Sequence, residues 1–534
     1  MLYGQSILNG CSTPGTGRVF SAFNPADGAP LEPLYISSSV DEVARAAQLA
    51  EEAFVTYRKL SGRKKGHFLR RIAQGIEQNA PELIDRAHRE SGLTEKRLQG
   101  EAARTANQLK LFAQLVEEGS WVNARIDSAQ PERAPVPRPD IRSMLRPLGP
   151  VAVFGASNLP LAFSVAGGDT ASALAAGNPV IVKAHPAHPG ASELAGQIIA
   201  HSASECGLPA GVFALLFDAG TEVGGALVRH PLVKSVAFTG SLHAGKALMD
   251  LAATRPEPIP CYMEMSSTNP LVVLPEALQS RAAQIAKDLF ASFTLNVGQF
   301  CTKPGLVFLP RGQSADTLIT ALSLQVKEAE RSLMLTAGIC RNYSTALAER
   351  IGHQGIEVLA KPDSSADAGG AWTVPTLLQT KGSELLRTPE LAREVFGPAT
   401  LVVRYADREE LLALVRSLEG QLTATVHGSE SDLADFTDLL DLLERKAGRL
   451  IINGFPTGVE VCHAMVHGGP YPATSDSRTT SVGTLAILRF ARPLCYQNFP
   501  QSALPDELKD ENHLDIWRTI DGVLTRGPFN KVNQ

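Results

Sequence analysis

At 534 residues the chain is too long for one simple hydrophobic core, so two or three domains are expected. Hydrophobic residues make up 44% and charged residues 20% of the sequence, which is typical of an ordinary soluble globular protein. The formal net charge of −5 gives no electrostatic reason to expect nucleic acid or an anionic membrane surface as a partner. The sequence shows neither an apolar run of about eighteen residues nor a secretory signal.

The seven cysteines are scattered, odd in number and without the paired spacing of metal ligands. This pattern indicates reduced thiols and argues against a disulfide framework or a zinc knuckle. We therefore expect a cytoplasmic protein that binds no metal. The cysteines are Cys11, Cys206, Cys261, Cys301, Cys340, Cys462 and Cys495.

Residues 40–115 carry apolar side chains at intervals of three and four, which predicts amphipathic helices. Residues 128–149 contain five prolines and mixed charge, so an extended crossing arm or a linker is expected there. The texture of the sequence then changes from helical periodicity to short β-branched runs.

From residue 150, predicted strands at 150–155, 178–183, 212–217 and 235–238 alternate with predicted helices at 169–176, 191–206 and 224–229. A second alternation covers 269–450, with strands at 270–274, 306–309 and 399–403. Such alternation predicts an α/β fold in which helices cover both faces of parallel sheets. Near the end, residues 483–490 are predicted to form a strand that pairs outside its own domain.

Cys301 stands in the run GQFCTKPG, between Gly298 and Gly305. The glycines permit a tight loop in which backbone N–H groups point at a ligand. Thiol catalysis needs the ionised sulfur, and such N–H groups, together with Lys303, would lower the pKa of the thiol. Taken alone, Cys301 is more readily explained as a buried packing residue.

Two further side chains have the chemistry that a reactive thiol needs. Asn158 follows a predicted strand, and its amide N–H could donate to a developing oxyanion. Glu264 lies between apolar residues, where burial would raise its pKa and suit it to general-base work. The alternatives are an ordinary turn asparagine and a glutamate whose carboxylate faces water.

A nucleotide site is indicated, although no GxGxxG fingerprint is present. The run Phe238-Thr239-Gly240-Ser241, with Gly245 after it, is a strand entering a helix whose first amides could hold a pyrophosphate. Lys183 closes a buried-looking strand and would pair there with a sugar hydroxyl or phosphate. Ordinary capping glycines and a solvated strand end are the alternatives.

Together these segments resemble the aldehyde dehydrogenase superfamily over nearly the whole chain. The resemblance implies that Cys301 is the nucleophile, Asn158 the oxyanion donor and Glu264 the general base. It also implies that NAD or NADP is bound by Lys183, the Phe238–Ser241 turn with Gly245, and the pair Glu394 and Phe396. The implied fold has a Rossmann-type cofactor domain, an α/β catalytic domain and a small oligomerisation arm.

The resemblance also implies domain bounds. Residues 1–127 and 145–262 would form the NAD(P)-binding domain with the N-terminal helices, and residues 263–455 the catalytic domain. Residues 128–144 and 480–534 would form the oligomerisation arm and the C-terminal tail. Members of the family assemble through this arm, so a homodimer or a homotetramer is expected.

Three segments, at 154–190, 255–270 and 452–484, are similar to the subgroup that oxidises 2-oxoglutarate semialdehyde (2,5-dioxopentanoate) and, less closely, to NADP-linked bacterial fatty aldehyde dehydrogenases. The chain departs from the usual pattern in two places. Met265-Ser266-Ser267 replaces Leu-Gly-Gly after the general base, and Pro186 stands where many members carry an NAD-favouring glutamate. Cofactor preference therefore stays open, with use of both cofactors expected.

The far end of an oxo-acid substrate would need a cation or hydroxyl cluster, for which Arg478 and Lys303 are candidates. His467 could approach and tune Cys301. An apolar tunnel lined by Phe163, Phe300 and Phe455 would instead favour a fatty aldehyde. Two further alternatives are a catalytically silent relative that serves as a structural module and a cofactor-independent thioesterase.

Overall fold

The computed structural model describes residues 1–363 and 369–529, and it confirms the predicted α/β class. Two seven-stranded sheets and one five-stranded sheet organise this part of the chain. Among the described helices, none is long and apolar enough to cross a membrane.

The N-terminal region confirms the predicted helices, and its first strands join sheets formed later in the chain. Helix ends follow local signals: Ser39 and Glu42 form a capping box at the start of one helix, and Gly119 (φ 88°) ends another. The elements are β1 (Ser6–Leu8), β2 (Cys11–Thr13), β3 (Val19–Phe23), β4 (Pro30–Ile36), α1 (Val40–Tyr57), α2 (Gly62–Gln78), α3 (Ala80–Ser91), α4 (Glu95–Glu118), β5 (Arg125–Asp127) and β6 (Ile141–Pro147).

The first large sheet has the order β11-β10-β7-β8-β9-β1-β2, and its first five strands are parallel. The chain runs outward from β7 in one direction and from β10 in the other, so the order reverses between these two strands. Ligands of open α/β sheets bind at such a reversal, beyond the carboxyl ends of the strands. Its elements are β7 (Val151–Phe154), α5 (Gly168–Ala176), β8 (Val180–Lys183), α6 (Pro189–Glu205), β9 (Phe213–Leu216), α7 (Glu222–Arg229), β10 (Ser235–Thr239), α8 (Leu242–Ala253) and β11 (Cys261–Glu264).

The second large sheet, in the order β15-β17-β18-β13-β12-β19-β20, is parallel except at β15. Its central strands are buried on both faces, which explains their continuous apolar sequence. The region contains β12 (Leu271–Val273), α9 (Pro275–Thr294), β13 (Leu306–Pro310), α10 (Gln313–Lys327), β14 (Ser332–Leu333), α11 (Ala337–Ile351), β15 (Glu357–Ala360), β16 (Trp372–Thr373), β17 (Thr376–Lys381), α12 (Gly382–Arg387), β18 (Ala399–Tyr405), α13 (Arg408–Ser417), β19 (Gln421–His427), α14 (Glu430–Asp435), α15 (Thr437–Glu444) and β20 (Ala447–Ile452).

The third sheet joins the proline-rich segment to the end of the chain, in the order β21-β6-β5-β22-β23. Its late strands are β21 (Ala491–Gln497), β22 (Arg518–Ile520) and β23 (Val523–Thr525). The strand predicted at 483–490 was wrong, because Thr484–Phe490 is a 3₁₀ helix. Burial there has a period of three: Thr484, Ile487 and Phe490 are buried, whereas Leu485 and Leu488 are exposed.

Candidate active site

The loop that carries Cys301 leaves α9 through three consecutive residues with left-handed backbone, Asn296 (φ 52°), Val297 (φ 56°) and Gly298 (φ 66°). A β-branched residue rarely adopts this conformation, so the loop stores strain of order 1–3 kcal/mol. A Cβ atom on Gly298 would lie 2.3 Å from the carbonyl oxygen of Gly397. Only glycine therefore permits this close approach of the thiol loop to the loop after Glu394.

Asn269 holds the other side of the thiol loop. Its Nδ2 donates hydrogen bonds to the carbonyl oxygens of Cys301 at 2.8 Å and Lys303 at 3.0 Å. Gln421 Oε1 in turn accepts from the backbone N–H of Asn269 at 3.0 Å. This chain of buried amides fixes the position of the thiol relative to the second sheet.

Cys301, His467 and Glu264 meet in one cluster, although Glu264 ends β11 and lies 203 residues from His467. Cys301 Sγ is 3.4 Å from His467 Nε2, and the same nitrogen is 2.9 Å from Glu264 Oε1. Glu264 Oε2 accepts a hydrogen bond of 2.6 Å from the Ser481 hydroxyl. When the imidazole is neutral and Nε2 carries no hydrogen, this nitrogen can take a proton from the sulfur, and the N–H so formed donates to the Glu264 carboxylate.

The charges in this cluster differ from those expected from the sequence. Burial alone would raise the pKa of Glu264, but the charge of the His467 imidazole when it is protonated, together with hydrogen bonds from His467, Ser481 and Cys301, outweighs burial, so the pKa of Glu264 is lowered. Burial first, and then the Glu264 carboxylate, raise the pKa of the Cys301 thiol well above its ordinary value. This shift is opposite in direction to the lowered pKa of the Cys301 thiol expected from the sequence, and it favours the thiol form before a base acts on it.

Asn158 lies four residues beyond β7, at the reversal point of the first sheet. Its side chain is 7% exposed, and Nδ2 donates to the carbonyl oxygen of Gln299 at 2.9 Å. Because the amide carries two N–H groups, this bond orients the group beside the thiol loop and leaves a second donor. The arrangement suits an oxyanion donor.

The predicted cofactor residues line the carboxyl ends of β8 and β10. Ser241 is the N-cap of α8, accepting a hydrogen bond from the backbone N–H of Ala244. A Cβ atom on Gly245 would lie 2.6 Å from the sulfur of Met265, so glycine lets α8 pack closely beside β11. Lys183 Nζ donates to the carbonyl oxygen of Asp218 at 3.1 Å. These residues fit a dinucleotide, whose phosphates suit an uncovered helix N-terminus.

The departure at Ser266 and Ser267 has direct structural effects. The Ser266 hydroxyl donates to Glu394 Oε2 at 2.7 Å, and the Ser267 hydroxyl lies 2.9 Å from Asn269 Oδ1. Burial raises the pKa of Glu394. The loop after Glu264 is thus bonded both to Glu394, the carboxylate expected at the nicotinamide ribose, and to Asn269, which supports the thiol loop. Phe396, the other residue expected there, is half-buried beside Gly397.

Two predicted substrate residues point elsewhere. Lys303 is buried, and its ammonium donates to the carbonyl oxygens of Val395 at 2.9 Å and Ala399 at 3.0 Å. A buried ammonium needs such partners, so it is not free to bind a substrate. The Arg478 side chain is 86% exposed and pairs with Asp476 at 2.8 Å. Neither side chain is placed to bind the far end of a substrate.

The three predicted aromatic residues are divided between two places. The Phe163 ring lies 6.3 Å from the His467 ring, and Phe300 precedes the thiol directly in the chain. Phe455 instead contacts His427, with ring centroids 4.9 Å apart. Phe163 therefore lies beside the cluster and the Phe300 ring contacts Arg97, whereas the substrate roles of all three rings stay predictions.

Sequence reasoning missed Ser481 and Asn269, which support Glu264 and the thiol loop, and it did not anticipate that the guanidinium groups of Arg97 and Arg104 on α4 would contact the rings of Phe300 and Phe163. Ser481 contacts a residue 217 positions away, and no local spacing signals such a contact. Arg97 and Arg104 lie in a regular amphipathic helix, where arginines normally face water.

Comparison with known proteins shows the family of the chain. The profile of the aldehyde dehydrogenase family matches residues 13–471. The chain is 48% identical to alpha-ketoglutaric semialdehyde dehydrogenase 2 of Azospirillum brasilense, covering 98% of this chain and 99% of the relative. It is 47% identical, with the same coverage, to alpha-ketoglutaric semialdehyde dehydrogenase of Acinetobacter baylyi.

Solved structures share the fold. Aldehyde dehydrogenase C from Pseudomonas syringae, a mutant in complex with NAD⁺ and octanal, superposes with a TM-score of 0.78 at 22% identity, covering 94% of this chain and 98% of that one. A 3,6-anhydro-L-galactose dehydrogenase in complex with NAP gives a TM-score of 0.79 at 21% identity, covering 92% and 99%. From its sequence, its fold and the cluster around Cys301, the chain belongs to the aldehyde dehydrogenase family and is an oxidoreductase.

Proposed function

We propose that the protein oxidises 2-oxoglutarate semialdehyde (2,5-dioxopentanoate) to 2-oxoglutarate with a nicotinamide cofactor. The observation that carries the chemistry is the single nitrogen of His467, which lies 3.4 Å from Cys301 Sγ and 2.9 Å from Glu264 Oε1. The choice of aldehyde is supported by the full-length relatives at 48% and 47% identity, whose names specify this substrate.

In the first half of the reaction, Cys301 Sγ adds to the aldehyde carbon while the thiol proton moves to His467 Nε2. Because the pKa of the thiol is raised by burial and by Glu264, this proton transfer is needed for attack at neutral pH. The second N–H of Asn158 and the backbone N–H of Cys301 stabilise the resulting oxyanion. The nicotinamide, when bound, supplies the acceptor for the hydride that leaves this carbon, and Cys301 then carries a thioester.

In the second half, the thioester is hydrolysed. Glu264, buried and ionised, takes a proton from the attacking water, while His467 still holds the thiol proton. The carbon–sulfur bond breaks, the sulfur regains the proton held by His467, and the proton on Glu264 and that of the carboxylic acid product are released to solvent. Ser481 keeps Glu264 oriented throughout by its hydrogen bond to Oε2.

Cofactor preference is proposed from the surroundings of Lys183. Its ammonium is held at the carbonyl of Asp218, whose carboxylate accepts from the backbone N–H of Gly220 at 2.7 Å. The negative charge of the Asp218 carboxylate repels a 2′-phosphate, and Pro186 offers that phosphate no hydrogen-bond partner. We therefore propose that both cofactors bind and that NAD is used more efficiently than NADP.

Assembly and location are also proposals. The edge strand β20 exposes Leu450 and Ile452, and the third sheet exposes Val523 and Leu524. Exposed apolar edges of this kind are typical of subunit contacts. We propose a homodimer, or a homotetramer of such dimers, that works in the cytoplasm, where its cysteines stay reduced.

A substrate panel tests the function. The value of kcat/KM is measured for 2,5-dioxopentanoate and for a long n-alkanal, each with NAD and with NADP. We expect the oxo acid to be preferred, with 2-oxoglutarate formed in equal amount to the reduced cofactor. The rings of Phe163 and Phe300 favour a fatty aldehyde as the second candidate, and a preference for the alkanal would replace the first proposal with it.

A further inference from the structure

One face of α4 places three charged side chains toward the loops that carry Phe300 and Phe163. Arg97, Glu101 and Arg104 stand at intervals of four and three residues, so they share one side of the helix. Glu101 Oε1 accepts hydrogen bonds from the backbone N–H groups of Leu161 at 2.8 Å and Ala162 at 3.0 Å. This carboxylate therefore fixes α4 against the loop that carries Asn158 and Phe163.

The guanidinium of Arg104 is only partly satisfied. Nη2 donates to the carbonyl oxygen of Val459 at 3.2 Å, and the guanidinium carbon lies 5.1 Å from the centre of the Phe163 ring. Nη1 is buried and, within the described residues, has no hydrogen-bond partner. A buried charged donor without an acceptor is costly, which indicates a site shaped for an anion.

Arg97 makes a similar contact with an aromatic ring, that of Phe300, the residue that precedes Cys301. Its guanidinium carbon lies 5.3 Å from the ring centre of Phe300, and Nη1 is 3.0 Å from Glu101 Oε2. Its Nε and Nη2 are also buried without partners in the part of the chain that the structure describes. One guanidinium group thus contacts the ring beside His467, and the other contacts the ring of the residue that precedes Cys301.

Electrostatics place Arg104 close to the reaction. It is among the charges that act on the Cys301 thiol, where it opposes the effects of burial and of Glu264, which raise the pKa of the thiol. Arg449 also acts on this thiol, but its two Nη atoms donate to the carbonyl oxygens of Pro456 at 2.7 Å and Gly458 at 3.2 Å. Both terminal nitrogens of Arg449 are thus bonded to nearby carbonyl groups and only its Nε lacks a partner, whereas Arg104 has a terminal nitrogen, Nη1, without a partner among the described residues.

We propose that Arg104, assisted by Arg97, forms a subsite that binds the carboxylate of the aldehyde substrate at the end remote from the reacting carbonyl. Guanidinium groups suit this task because their paired N–H donors match the two oxygens of a carboxylate. The Phe163 ring separates this subsite from His467, so the substrate's carbon chain lies along the ring. The inference rests on the proposed function for the identity of that substrate.

Two five-carbon aldehydes test the subsite: 5-oxopentanoate, which carries a carboxylate, and pentanal, which is neutral. We expect the wild type to prefer 5-oxopentanoate, and Arg104→Met to reduce kcat/KM for it about 10- to 100-fold, mostly through KM, with pentanal changed less than about threefold. Arg104→Lys should restore part of the preference, since it keeps the charge. The control is Arg408→Met, whose guanidinium also lies 5.0 Å from a phenylalanine ring, that of Phe436, but on remote α13.

Equal losses on both aldehydes in Arg104→Met and no rescue by lysine would show a structural role and overturn the subsite. So would a wild type that does not discriminate between the two five-carbon aldehydes. Failure of the proposed function is a separate result, because it is read from 2,5-dioxopentanoate against a long alkanal. If the wild type prefers the alkanal in that panel, and Arg104→Met still loses the preference for 5-oxopentanoate over pentanal, the subsite stands and the proposed substrate changes.

Discussion

The replacement His467→Gln tests how the buried thiol becomes a nucleophile. At its ordinary pKa of 9.0 a thiol is about 1% ionised at pH 7, and burial and Glu264 reduce that fraction further for Cys301. General-base assistance contributes about 10²–10⁴ in rate. Removal of the imidazole should therefore lower kcat/KM at pH 7 by about that factor.

The pH dependence makes this prediction specific. Without His467, attack depends on spontaneous ionisation of the thiol, so kcat/KM should rise about tenfold per pH unit up to the raised pKa. Alkylation of Cys301 by iodoacetamide, followed by peptide mass spectrometry, should show the same slope. His463→Gln, an exposed histidine in the same segment, is the matched control. A variant within about threefold of the wild type at pH 7, with an unchanged profile, would refute proton transfer through His467.

Three other changes test separate parts of the structure. Asn158→Ala should slow kcat about 10²–10³-fold while the melting temperature hardly changes, and a near-normal kcat would exclude the oxyanion role. Asp218→Asn removes the negative charge near Lys183, so the ratio of kcat/KM for NADP to that for NAD should rise about tenfold; an unchanged ratio would count against the cofactor proposal. Burial lowers the pKa of His427 from 6.5 to about 4. Between these two values the unfolded chain binds more protons than the folded chain, so the free energy of unfolding falls as the pH drops from 6.5 towards 4. His427→Phe should therefore remove about 2 kcal/mol of the stability difference between pH 7 and pH 5 in urea unfolding, and an unaltered difference would contradict the assignment.

The fold was largely predictable from the sequence, because strand and helix periods in this chain are long and regular. The parallel strands β7 to β11 follow continuous apolar runs, and the helices before them follow a clear three- and four-residue spacing. The strand predicted at 483–490 was wrong because a 3₁₀ helix also buries apolar residues at short intervals. Over so few residues, its period of three is hard to distinguish from the period of two of a strand.

The sequence indicated residues that the fold brings together around Cys301, but it did not indicate the electrostatics of the cluster. The resemblance selected Cys301 and Glu264, but the pKa of Glu264 depends on His467 and Ser481, which the fold brings from more than 200 positions away. Lys303 was expected to act on the thiol because it is two residues from it. The carbonyl groups of Val395 and Ala399 decide its direction instead, and sequence proximity carries no information about them.

Trapping the acyl-enzyme tests the central claim most directly. Glu264→Gln removes the base that hydrolysis needs and leaves Cys301 able to form the thioester. With NAD and 2,5-dioxopentanoate, this variant should release one reduced cofactor per subunit in a burst and then nearly stop, with the acyl group found on the Cys301 peptide by mass spectrometry. Steady turnover at the wild-type rate, with neither a burst nor an adduct on Cys301, would contradict the account.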